Sequence, residues 1–190
     1  GDTVITWDSL AFQPYFTATA ANVNYGWWSH DIGGHMGGAT KPELFARWVQ
    51  YGALSPSLRL HATKDPLAER RPWKYPAAVY RAARDAFHWR YQLVPYLYTM
   101  ARVAHDTGVS LCRPMYYEYP DQDAAYTARY QDFFGDQMIA APIVHPADAE
   151  TGLASADIWV PPGTWIVGSV SDPPPNSAWA AAYIYTPAVR

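Results

Sequence analysis

Residues 27–38 read Trp-Trp-Ser-His-Asp-Ile-Gly-Gly-His-Met-Gly-Gly, and no other stretch restricts the fold as sharply. The segment 25–28 is aromatic apart from Gly26 and reads as a short buried strand. A His and an Asp follow at once, and then four glycines fall within residues 33–38. Glycine permits backbone conformations closed to other residues and close approach to a ligand. A strand end that delivers a carboxylate into a glycine-rich loop is how a parallel barrel builds a site at its C-terminal face.

The next segments extend that unit. Thr40-Lys41-Pro42-Glu43 has the spacing of a capping box, with Thr40 as N-cap and a proline in the first turn. Leu44, Phe45, Trp48, Val49 and Tyr51 continue at helical spacing up to Gly52. Residues 53–60 then read as a second buried strand, ending in Arg59-Leu60-His61. Strand, helix and strand with short joins form a βαβ unit, whose strands are parallel. Parallel strands end on the same side, so Asp31 and His61 are predicted to open onto one surface.

Upstream, Gly1-Asp2-Thr3-Val4-Ile5-Thr6-Trp7-Asp8-Ser9-Leu10 opens as if inside a fold. Thr6 or Asp8 can cap a following helix, with Leu10, Phe12, Tyr15, Phe16 and Ala20 as its apolar stripe. Pro14 within that pattern predicts a kink or a late start. Downstream, residues 62–75 are charged and turn-rich, a surface loop at the rim. Pro76 opens a long helix with Val79, Tyr80, Ala83, Phe87 and Tyr91 on one face. Pro95 divides it from a second helix over about residues 96–106, ended by Gly108. Past residue 111 the pattern turns to strands. Residues 158–160 and 165–167, joined through Pro161-Pro162-Gly163-Thr164, read as a hairpin.

Composition narrows the partners. Net charge is −3 without a basic cluster, which argues against nucleic acid. No apolar run reaches membrane-spanning length, so no membrane partner is expected. The one cysteine, Cys112, excludes an internal disulfide and a cysteine metal cage. Nine Trp and fifteen Tyr suit a sugar-binding surface, although any single ring serves equally well in a core.

The segment Trp28-Ser29-His30-Asp31-Ile32-Gly33-Gly34 resembles the Trp-x-His-Asp-Ile-Gly-Gly signature of glycoside hydrolase family 31, the α-glucosidases and α-xylosidases. The likeness continues through Gly1-Asp2, Arg59-Leu60-His61, Arg113-Pro114-Met115, residues 133–144 and Trp159-Val160-Pro161-Pro162-Gly163-Thr164-Trp165, fading after Val167. The resemblance implies an α/β fold: the last strands and helices of a (β/α)8 barrel over residues 1–110, then the start of an all-β sandwich domain over 111–190. It implies a fragment of a retaining α-glycosidase acting on terminal α-linked glucose or xylose. Asp2 inherits the general acid/base role. The nucleophile of the family lies on an earlier strand, before any residue of this chain, so the chain alone is expected to be inactive.

Asp31 and His61 are expected to hold sugar hydroxyls, with Trp28 and His35 walling the pocket. His35 departs from the family, which more often has Phe there. Arg59 is expected to pair with a carboxylate and His30 to lie behind the site. No cofactor and no resident metal are expected. Two rival readings stand beside this one. A carbohydrate-binding segment without chemistry needs only the aromatics and Asp31. A metal-dependent hydrolase would draw on His30, Asp31, His35 and His61, the trio His30, Asp31 and His61 first, although adjacent residues on an extended segment point to opposite sides.

Overall fold

The computed structural model of the chain describes residues 1–169 and 182–185. Helix α1 spans Trp7–Thr19, and Thr6 is its N-cap, its hydroxyl accepting from the Ser9 amide at 3.1 Å. The helix runs unbroken through Pro14, without the late start expected there. Its buried face is Leu10, Gln13, Pro14, Thr17 and Ala18, while Phe12 and Tyr15 are exposed. The buried polar residues of this face find hydrogen-bond partners inside, except for the Gln13 side-chain oxygen. Gln13 donates to the Ser9 carbonyl at 2.9 Å, and the Thr17 hydroxyl accepts from Tyr51 at 2.7 Å and from the Trp28 indole at 2.9 Å.

Helix α2, Pro42–Ala53, is the centre of the molecule, with Leu44, Phe45, Trp48, Val49 and Tyr51 all buried. Every residue from Leu44 to Ala53 is buried, Arg47 and Gln50 included, so the helix is enclosed on all sides. Its N-cap is Lys41, which makes no side-chain cap bond, so the predicted capping box does not form. Thr40 instead accepts from Arg70, and Glu43 accepts from the Ala147 amide at 2.9 Å. Each partner lies far away in sequence, beyond what local spacing can register. Gly52 is where α2 meets the site segment, since a Cβ there would strike the Ile32 side chain.

Helix α3, Ala77–Gln92, packs on α2 through Val79, Ala82, Ala83 and Ala86. The predicted face is therefore rotated, leaving Tyr80 and Tyr91 exposed. Helix α4, Val94–Thr107, carries Pro95 in its first turn and ends at left-handed Gly108, as predicted. A short α5, Asp123–Thr127, follows.

Strands β1 (Cys112–Arg113), β2 (Asp132–Phe134), β3 (Met138–Ala141), β4 (Ile166–Ser169) and β5 (Ala182–Tyr185) form one sheet in the order β1-β2-β3-β5-β4, each neighbouring pair antiparallel. β2 and β3 make a hairpin about left-handed Gly135. The hairpin expected between residues 158–160 and 165–167 is absent, because β4 pairs with β5. Trp159 is held instead by Gln131, its amide donating to the side-chain oxygen and its carbonyl accepting from the side-chain nitrogen, both at 2.8 Å. Residues 170–181 and 186–190 lie outside the described residues.

Neither barrel strand expected from the sequence is a strand here. Residues 25–28 belong to no strand and bend at Trp27, with Tyr25 and Trp27 exposed, and Ala53 belongs to α2. A strand exists only through its neighbours' hydrogen bonds, and within this chain the bonds are few. The Ile32 amide reaches the Arg59 carbonyl at 3.4 Å, and Val4 bridges Met36 in parallel. Even so, these bonds set residues 3–5, 35–36 and 63 side by side, because the His35 amide donates to Thr3 at 2.7 Å and the Thr63 amide to His35 at 3.1 Å. Among the described residues no helix is long and apolar enough to cross a membrane.

Candidate active site

His30 and Asp31 leave the chain in opposite directions, as adjacent residues of an extended segment do. His30 is buried. The Trp48 indole donates to its Nδ1 at 3.1 Å, so the proton sits on Nε2, which donates to the Ser55 hydroxyl at 2.8 Å. Ser55 in turn donates to the Tyr51 carbonyl at 3.0 Å, and the imidazole stacks on the Tyr51 ring. Burial above all pushes the His30 pKa down to about 3, so the ring is neutral. The predicted place of His30 behind the site holds. The metal centre of His30, Asp31 and His61 does not, because both His30 nitrogens are committed to the core.

Asp31 faces the other way, with no exposed side-chain surface. Its Oδ1 accepts from Arg59 at 2.5 Å, and its Oδ2 lies 2.6 Å from His35 Nδ1. A carboxylate offers about four acceptor positions, so each oxygen keeps room for another donor. His61 completes the group. Its ring centroid stands 5.2 Å from that of His35, and Asp31, His35 and His61 each offer a polar atom within 4.8 Å of the others. The predicted convergence of Asp31 and His61 on one rim is therefore observed. Asp2 is mostly exposed, its Oδ1 3.7 Å from His35 Nδ1, so the same imidazole borders both carboxylates. Trp28 is buried against α1, edge-on to Phe16, and its ring lies beside Gly1, next to Asp2. The structure does not bring it into the Asp31, His35 and His61 cluster.

The glycine loop makes this geometry. Gly33 and Gly34 have φ of 95° and 83°, which side chains disfavour. A Cβ on Gly34 would also lie 2.8 Å from the Ile5 backbone, so residue 34 must be bare for the loop to cross the opening segment. Arg70 fastens the loop from outside: its guanidinium donates to the Gly34 carbonyl and, at 2.6 Å, to Thr40. Arg70, Trp48 and Ser55 escaped sequence reasoning. Each acts through a partner more than a dozen residues away, and no local pattern marks such pairs.

Residues 1–100 match the glycosyl hydrolases family 31 TIM-barrel domain, and residues 108–173 match the glycosyl hydrolase family 31 C-terminal domain. Over 85% of its length the chain is 34% identical to a 1,6-alpha-glucosyltransferase of Sporosarcina globispora and 31% identical to neutral alpha-glucosidase AB of Homo sapiens. It spans 12% and 16% of those relatives. Among solved structures it resembles an alpha-xylosidase from a soil metagenome complexed with xylose, at 26% identity and a TM-score of 0.81, covering 99% of this chain and 32% of that one. With both domain matches in sequence order along one chain, this protein belongs to glycoside hydrolase family 31.

Proposed function

We propose that this chain supplies the acid/base side of a retaining α-glycosidase that acts on terminal α-linked glucose or xylose. Residues 1–110 are then the closing part of the catalytic barrel, and residues 111–190 the first part of the β-sandwich domain beyond it. In this reading Asp2 protonates the glycosidic oxygen as the bond to the anomeric carbon breaks. A carboxylate from a strand outside this chain forms the glycosyl ester, and Asp2 then takes a proton from the water that cleaves it. Asp31 and His61 hold the hydroxyls of the sugar, with His35 between Asp31 and Asp2.

The observation that carries the reading is the single rim on which Asp31, His35 and His61 meet, with Asp2 across His35. Arg59 orients Asp31 by donating to its Oδ1, and in this reading the remaining acceptor positions of the carboxylate take two sugar hydroxyls. A carbohydrate-binding role without chemistry is the second reading. It is favoured by the engagement of Asp31 with Arg59 and His35, which leaves that carboxylate to bind and not to attack.

Saturation-transfer NMR on the 190-residue chain tests the site, with methyl α-glucoside and methyl α-xyloside as probes. Saturation of the sugar protons should be seen for at least one probe and lost in Asp31→Asn, while exposed His105→Gln leaves it intact. Signals for neither sugar, or signals indifferent to Asp31→Asn, would remove the sugar site from this rim.

A further inference from the structure

We propose that the C-terminal domain carries a second saccharide-binding site, in the cleft between residues 124–131 and residues 157–159. The cleft holds about 330 Å³ and shares no residue with the rim of Asp31, His35 and His61. That volume lies at the lower end of the about 300–1,000 Å³ of small-molecule sites and suits a short oligosaccharide. Thr127, Arg129, Tyr130, Gln131, Asp157 and Trp159 are among the residues that line it.

Charge selects the class of ligand. Arg129 and Asp157 border the same cleft, yet among the described residues neither side chain makes a hydrogen bond or an ion pair. An anion would be repelled by Asp157 and a cation by Arg129. A neutral polyol uses both, its hydroxyls donating to the carboxylate and accepting from the guanidinium. Arg129 is exposed but steadied, its guanidinium lying 4.6 Å from the centre of the Tyr15 ring. Stacking of that kind leaves the planar fork of N–H donors free for a ligand. The Thr127 hydroxyl donates to the Ala124 carbonyl at 3.3 Å and keeps its acceptor positions. Trp159 is held before any ligand arrives. Gln131 brackets its backbone with two bonds of 2.8 Å, and its ring stands edge-on to Tyr119 at 5.7 Å. An anchored aromatic residue beside unpaired donors and acceptors matches the apolar C–H face and hydroxyl edge of a pyranose. The choice of α-linked glucose among saccharides rests on the glycosidase reading, whereas the cleft and its unpaired charges do not.

Chemical footprinting of the 190-residue chain, read by mass spectrometry with maltotriose as the probe, tests the site. Carbodiimide coupling should label Asp157 severalfold less with maltotriose than without it, while exposed Asp121 is labelled equally in both. Sorbitol, an open-chain polyol, should protect neither. In Arg129→Gln the protection of Asp157 should disappear, with helical circular dichroism unchanged. Should that variant lose its helices, phenylglyoxal decides on the unsubstituted chain: maltotriose should shield Arg129 and leave exposed Arg81 reactive. Asp157 labelled alike with and without maltotriose, equal protection by sorbitol, protection that survives Arg129→Gln, or an unshielded Arg129 would overturn the site. Mostly exposed Asp2 is read in the same spectra and reports on the rim. Protection of Asp2 without Asp157 keeps the rim site and removes this one, and the reverse pattern keeps this one and removes sugar from the rim.

Discussion

Two buried ionisable side chains, His30 and Asp132, pull stability in opposite directions with pH. His30 has a folded pKa of about 3 against an ordinary 6.5, chiefly through burial. Below about pH 6.5 the unfolded chain takes up a proton that the folded chain refuses, so this contribution is lost as pH falls, by about 1.4 kcal/mol per unit. Asp132 is the mirror case. Its carboxyl is buried beside the Cys112 thiol, and burial raises its pKa well above 3.8. The folded chain keeps a proton that the unfolded chain releases, so here stability is lost as pH rises above 3.8. Above pH 3.8 the Asp132 slope opposes that of His30, so the wild-type profile should be flatter than the His30 slope alone. Asp132→Asn should uncover the His30 slope. Urea midpoints at pH 4.5 and 6.5 should then separate in the variant more than in wild type, and equal separations would count against this account. Neither residue was legible in this respect, because burial is a property of the folded neighbours. The place of Asp31 was legible, as a carboxylate at a segment end before a glycine loop. Asp2 was legible only through resemblance.

Helices were read more truly than strands, and hydrogen bonding explains why. A helix meets its backbone groups within its own residues, so Thr6, Pro95 and Gly108 mark ends that the structure keeps. A strand meets them through a neighbour. Residues 25–28 and 53–60 have the right composition yet form no ladder in this chain. In place of a ladder, the turn after α2 is held by a side chain. Arg90 of α3 donates to the carbonyls of Ala53 at 3.0 Å, Ser55 at 2.6 Å and Pro56 at 2.9 Å. Arg90→Met should leave these acceptors unmet and cost about 2–4 kcal/mol, read as a lowered unfolding midpoint. A loss below about 1 kcal/mol would mean that water replaces the guanidinium. Gly34→Ala acts on the other connection. With φ of 83° and Ile5 backbone in the way, it should disturb the loop as well as stability. The expected sign is a shift of the His35 and His61 imidazole NMR signals; signals identical to wild type would show that the loop tolerates a side chain.

For the whole molecule, the decisive question is whether one chain with this rim can carry out glycoside hydrolysis by itself. Retention needs two carboxylates about 5–5.5 Å apart on opposite sides of the scissile bond, one to attack and one to protonate. Asp2 is mostly exposed and is the residue proposed to protonate the leaving oxygen. The carboxylate that shares His35 with it is Asp31, which has no exposed side-chain surface and has an oxygen on each of Arg59 and His35. Freeing Asp31 to attack an anomeric carbon would break a charge-assisted bond, worth about 1.5–3 kcal/mol, and would leave Arg59 unpaired. Attack also demands alignment that a buried carboxylate held by Arg59 and His35 lacks, and misplacement by about 1 Å costs about a hundredfold. Exposed Tyr25, Trp27, Trp73, Tyr91 and Tyr98 add a physical obstacle, since apolar surface of that extent promotes self-association. The chain should therefore release no chromogenic aglycone from an aryl α-glucoside above the buffer rate, and Asp2→Asn should match wild type. Sedimentation velocity run alongside separates inactivity of a monomer from inactivity of an aggregate. Turnover by the monomer that disappears in Asp2→Asn would mean that Asp31, or another carboxylate of this chain, serves as nucleophile, and the division of labour proposed for Asp2 and a strand outside the chain would be wrong.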